Sequence, residues 1–271
     1  MNGASREALA AARERLDALT DNTSVDAAKL ADELAAVTAL LDREVSLRRV
    51  LTDPAQPGEA KAELVTRVLG SQIGGEALDL VSGMVRSRWS ASRDLVDGLE
   101  ELADTADLTA AQRAGKLDEV EDELFRFGRI VADNKGLRAA LTDRAGSPAA
   151  KSQLIRKLLD GKADPVTERL IARLVSAPRG RGLEAGLESL SKLAAERRNR
   201  MVAVVVSAVP LSDTQKERLS ALLTRVYGRG MHLNLDVDPA VIGGIEVRVG
   251  DEVINGSVAE RLEDAARRMA G

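Results

Sequence analysis

The feature that most constrains this chain is a repeat within it. Leu34 to Leu69 aligns with Leu124 to Leu159 at a constant spacing of 90 residues (124 − 34 = 90) and without a gap. Of these 36 positions 11 are identical, against roughly 2 to 3 for unrelated sequence, which marks an internal duplication. Leu47-Arg48 returns as Leu137-Arg138, Leu51-Thr52-Asp53 as Leu141-Thr142-Asp143, and Lys61 and Leu64 as Lys151 and Leu154. Further on, Leu95 to Leu102 resembles Leu183 to Leu190 at a spacing of 88, which a two-residue deletion explains. Two copies point to two small bundles, because a solenoid generally needs three or more units to bury its faces.

Each copy reads as helix. Leu9, Ala12, Leu16 and Leu19 form one stripe at helical spacing, and Leu30, Leu34, Val37 and Leu41 form another. Breaks follow at Pro54 and Pro57, at Gly70, and at Gly74-Gly75. Helices are expected over Ser5–Leu19, Glu59–Leu69, Glu76–Arg88 and Ser92–Ala106. Aromatics are only 1% of the chain, so its cores must be built from Leu, Val, Ile and Ala, which suits helix bundles. Phe125 and Phe127 are expected at the core and boundary of the second bundle, and Trp89 is expected to pack.

Near residue 200 the period changes. Met201 to Val206 is uniformly apolar and β-branched, as a strand buried on both faces would be. Pro210 ends it, and Ser212 with Gln215 three residues on makes a capping box for a helix carrying Leu219, Leu222, Leu223 and Val226. Leu233, Leu235 and Val237 alternate with polar residues, as do Ile245, Val247 and Val249. Gly250-Asp251 suits a type II′ hairpin turn, Glu252–Asn255 the returning strand, and Ser257 with Glu260 a second capping box opening a last helix. The expected fold is α+β and mainly α. Two tandem helical bundles, 1–110 and 111–199, precede a small mixed-sheet α/β domain over 200–271.

The chemistry that the residues permit is narrow. The net charge is −4, so no global basic field is available for nucleic acid, and Arg197-Arg198-Asn199-Arg200 reads as cations at a helix end. There is no cysteine, which removes disulfides, thiol catalysis and thiolate metal sites. The N-terminal stretch lacks the apolar segment of a signal peptide, and the longest apolar run is far too short to span a bilayer. No phosphate loop is present, and Gly180-Arg181-Gly182 with Gly186 reads as a loop before a helix. His232 has no second histidine to work with. The many carboxylates lie beside Arg and Lys and read as solvated surface charge. No catalytic, cofactor-binding or metal-binding residue is assigned.

Met231 to Gly250, continued by Asp251-Glu252-Val253-Ile254-Asn255-Gly256-Ser257, resembles the signature of the delta subunit of F-type ATP synthases, the family of the mitochondrial oligomycin-sensitivity-conferring protein. The matching positions are Asp238, Gly243, Gly244, Gly250, Asp251, Gly256 and Ser257. Read physically they are fold residues: glycines for a bend and a hairpin, and Ser257 for a helix cap. The resemblance implies a non-catalytic stator protein of the proton-transporting synthase, without cofactor. Its helical bundle would grip the N-terminal tail of an alpha subunit of the catalytic head. Its C-terminal domain would hold the b-type subunits of the peripheral stalk and so resist rotor torque. It would sit at the cytoplasmic face of the cell membrane, peripherally, through the complex alone. The family normally has one bundle and this chain has two. The first is expected to take the tail, with Leu9, Leu16 and Leu19 as its apolar stripe, because the segment before Leu117 reads as short and disturbed by Gly115. The competing readings are a free-standing helical adaptor, which would have no affinity for synthase components, and a small-molecule enzyme, which would need a polar pocket with convergent charges.

Overall fold

The computed structural model describes residues 1–143, 145–198, 201–227, 231–238, 244–249 and 252–255. The chain divides into two compact units, Met1–Ala195 and Glu196–Gly271. The first unit is helical: α1 (Gly3–Asp21), α2 (Ala27–Arg43), α3 (Val45–Thr52), α4 (Gly58–Leu69), α5 (Gly75–Arg86), α6 (Ser92–Arg113), α7 (Leu117–Asp133), α8 (Lys135–Thr142), α9 (Pro148–Leu159), α10 (Pro165–Ser176) and α11 (Leu183–Arg198).

The repeat is exact at the level of elements. α7 to α10 begin and end 90 residues after α2 to α5, as in 117 − 27 = 90 and 176 − 86 = 90. α6 closes the first module and opens the second. It ends at Arg113 rather than at the expected Ala106, and its C-terminal end stands 92 residues after that of α1 (113 − 21 = 92). The segment before Leu117 is therefore not short: it is the second half of a 22-residue helix about 33 Å long. Gly115 lies beyond it at φ +68°, ending the helix in the left-handed conformation that glycine tolerates. Two cores meet along this one helix. Leu95, Leu99, Leu102 and Ala106 belong to the first, with Leu16, Leu34 and Leu80. Leu108 and Ala111 belong to the second, with Leu124, Ile155 and Leu170. The boundary expected at residues 110 and 111 falls inside α6.

The repeated residues carry repeated bonds. Thr52 and Thr142 donate to the carbonyls of Arg48 and Arg138, and Asp53 and Asp143 accept from the amides of Ala55 and Ala145, so Leu-Thr-Asp ends a helix and turns the chain in both copies. Gly98 and Gly186 are both closely covered: a Cβ would meet the Trp89 ring at 3.1 Å and the Met84 methyl at 3.3 Å in one, and would overlap the Leu174 side chain in the other. Glu33 accepts from the Gly74 amide, and Glu123, 90 residues later, from the Asp164 amide at 3.0 Å and from the Thr167 hydroxyl. Each carboxylate satisfies an amide at a helix N-terminus and complements its dipole. Glu123→Ala is expected to cost about 2 kcal/mol, because the buried Thr167 hydroxyl and the Asp164 amide lose their partner. Urea denaturation would measure it; a loss within error would show that these groups have another acceptor.

Trp89 is buried and donates its indole N–H to the Met84 carbonyl, whereas the two phenylalanines part company. Phe127 is core, but Phe125 is 58% exposed, because it falls on the outer face of α7 beside Asp122 and Arg126.

The second unit runs β1 (Met201–Ser207), α12 (Asp213–Tyr227), β2 (Met231–Val237), β3 (Ile245–Val249) and β4 (Glu252–Asn255). The sheet order is β2-β1-β3-β4, so the apolar β1 is internal, parallel to β2 and antiparallel to β3. Val205 and Val247 pack with Leu223 of α12. The capping box forms: the Ser212 amide donates to Gln215 Oε1, and the Gln215 amide to Ser212 Oγ. β3 pairs antiparallel with β4, with Val249 opposite Glu252.

Candidate partner-binding site

α1 is seated by residues that the apolar stripe predicted. Leu9 and Leu16 are buried in the first core and Leu19 packs against it from the edge. They hold the helix down on the core. At its N-terminal end Ser5 is buried, donating to Asp94 at 2.6 Å and accepting from the Ser90 amide at 2.8 Å. Beside α5, α1 carries small side chains, Ala8 and Ala12 buried against it and Ala11 exposed. A groove of about 160 Å³ runs between the two helices, lined by Ala8, Ala11 and Ala12 on one side and Leu80, Gly83 and Met84 on the other, with Arg15 and Ser87 at its ends. Arg15 donates to Asp79 through Nε at 2.6 Å, closing the mouth with an ion pair. The groove exists because no side chain rises from Gly83, where a Cβ would come no nearer than 3.6 Å to Arg15 Cδ. The result is a narrow, mainly apolar trough with an ion pair on its rim.

In the corresponding pair of the second module, α6 and α10, buried ion pairs bridge the two helices. Asp107 of α6 is fully buried and accepts from Arg169 at 2.6 Å and from Arg173 at 2.7 Å. Arg173 also donates to Asp104 at 2.5 Å. Arg179 and Arg181, in the loop before α11, both pair with the buried Glu100. The loop is bent through Arg179 at φ 47° and Gly180 at φ 81°, which is the role left to its glycine. The reading of all carboxylates as solvated surface charge fails here. Three acids are buried because arginines from more than 60 residues away neutralise them. The signal that locates them is the repeat itself: shifted by 92, Ala8, Ala12 and Arg15 become Glu100, Asp104 and Asp107.

Burial pushes the Asp104 carboxyl up to about 6, with Arg173 opposing the shift. A folded value above the unfolded 3.8 means that the folded state holds this proton more tightly. Its contribution to stability is therefore fully present below about pH 4 and lost as pH rises through about 6. Relative to Asp104→Asn, the wild type should lose stability steadily across that window. A difference that stays constant in urea titrations at successive pH values would count against the assignment.

In the second unit Asp238 is exposed and its amide donates to the Ser207 carbonyl at 3.0 Å, joining the end of β2 to the end of β1. Gly244 takes φ +84° on entry to β3, a conformation that glycine adopts without strain. Gly243, Gly250, Asp251, Gly256, Ser257 and the expected last helix lie outside the described residues. Among the described residues no group of His, Cys, Asp and Glu is arranged to hold a metal ion, and no helix is long and apolar enough to cross a membrane.

Residues 103–269 match the family described as ATP synthase delta (OSCP) subunit. Curated relatives carry the same designation along their whole length. A protein of Streptomyces griseus named ATP synthase subunit delta is 79% identical over 271 residues, covering all of both chains. One of Streptomyces coelicolor is 75% identical over 270 residues, covering 100% of this chain and 98% of its own. One of Kineococcus radiotolerans is 49% identical over 269 residues, covering 99% and 98%.

Proposed function

Given that this chain belongs to the ATP synthase delta (OSCP) family, and so is a non-catalytic stator component of an F-type ATP synthase, we propose that its first module receives the N-terminal tail of an alpha subunit in the α1–α5 groove. The C-terminal unit then holds the b-type stalk subunits, and the protein sits peripherally at the cytoplasmic face of the cell membrane through these contacts. The observation that carries the tail assignment is the groove itself, apolar along its length and free of side chains at Gly83. Leu222 and Val226, exposed one turn apart on α12, give the C-terminal unit an apolar edge of the kind a stalk helix can cover.

A second reading places the tail on the second module, because the family match begins at residue 103 and so covers that module rather than the first. The geometry opposes it, since the α6–α10 counterpart of the groove is filled. The test is calorimetric titration of the full chain with a synthetic peptide of the alpha tail. Gly83→Leu fills the groove while leaving α5 helical and meeting only ordinary contacts at Cβ. It is expected to weaken binding by about 100-fold or more, as loss of a central apolar anchor does. Unchanged affinity would remove the tail from this groove.

A further inference from the structure

The groove and the buried ion cluster occupy the same place in the two modules. α5 and α10 are 90 residues apart (165 − 75 = 90), so Asp79 and Gly83 correspond to Arg169 and Arg173. α1 and α6 end 92 residues apart, so Ala8, Ala12 and Arg15 correspond to Glu100, Asp104 and Asp107. The rim pair checks this superposition independently. Arg15–Asp79 in the first module returns as Asp107–Arg169 in the second, at the same two positions with the signs exchanged. Where the first module has Ala12 and Gly83, the second has Asp104 and Arg173 bonded across the gap, and at the place of Ala8 it has Glu100, which pairs with Arg179 and Arg181.

From this we infer that Arg173, held by Asp104 and Asp107, plugs the second module's counterpart of the groove, so that the chain offers a helical tail one docking site and not two. The inference rests on the groove being the tail site. To enter at α6–α10 a tail would have to part Arg173 from two buried carboxylates and lay its apolar edge on the unpaired charges. That cost rejects the tail without any contact built to repel it. Arg173 is thus a specificity-determining residue, and Gly83 is the small residue that leaves the other site open. The same bonds fasten α10 to the helix that both modules share.

Titration of the full chain with the alpha-tail peptide should give one equivalent for the wild type and none for Gly83→Leu. The double variant Arg173→Gly/Asp104→Ala restores the first module's residues at both positions and leaves Asp107 paired with Arg169. It should bind a second equivalent, provided circular dichroism and gel filtration show it folded. Two equivalents for the wild type, one of them surviving Gly83→Leu, would overturn the plug. So would a single equivalent for the folded double variant. One equivalent that survives Gly83→Leu unchanged, or no binding at all, would instead overturn the groove reading and the inference with it. The wild-type and Gly83→Leu titrations decide the question even if the double variant does not fold.

Discussion

Replacing Asp107 with arginine is expected to destabilise the helical unit by more than about 4 kcal/mol, the largest single effect foreseen for this chain. The substitution sets a third guanidinium at a fully buried position already facing Arg169 and Arg173. Burial at position 107 leaves the repulsion weakly screened, and both arginines lose an acceptor. The first module shows how the damage can be repaired. There the arginine is on the first helix, at Arg15, and the acid on the fifth, at Asp79. Adding Arg169→Asp to Asp107→Arg recreates that arrangement, with Arg173 still bonded to Asp104, and should recover much of the loss. Thermal and urea denaturation of both variants would decide it. A double variant no more stable than Asp107→Arg would mean that the two modules are not interchangeable at this pair.

Leu99→Ala should have the second largest effect, about 2–5 kcal/mol, the range for truncating a fully buried leucine in a packed core. The expected consequence is wider than the cavity. Leu99 lies in the first core, but its helix carries Leu108 and Ala111 into the second, so the unit Met1–Ala195 should melt in a single transition. Amide exchange should speed up in α7 and α10 as well as in α2 and α5. Two separate transitions, with protection in α10 untouched, would show that the modules unfold independently despite the helix they share.

Much of this architecture was legible in the residues. The leucine stripes fix the helices because their burial is local and periodic, and the break signals at Pro54, Gly70 and Gly74 fall at observed ends. The valine run of β1 announced an internal strand because only a strand with neighbours on both edges is apolar on both faces. The sequence signature pointed to a family that the comparisons then showed. What escaped was long-range. The periodicity of α6 fades at Ala106 because Asp104 and Asp107 interrupt its apolar stripe, and nothing nearby says that their partners are Arg169 and Arg173. The stripe on α1 was visible, but the groove beside it is lined on that helix by alanines, whose small side chains carry no signal of a cleft. Phe125 looked like a core residue by type, and only the packing of α7 turns it outward.

The sharing of α6 also governs how the chain can be dissected. A cut between residues 110 and 111 leaves the second module without its opening helix and strips the cover from Val120, Leu124 and Leu170. Pieces that keep both cores whole must overlap: 1–113 for one and 92–198 for the other, each retaining its own copy of the common helix. Added together, two such pieces would hold the 22 residues of the common helix twice, and could not reassemble into the stretch 1–198 without one copy being displaced.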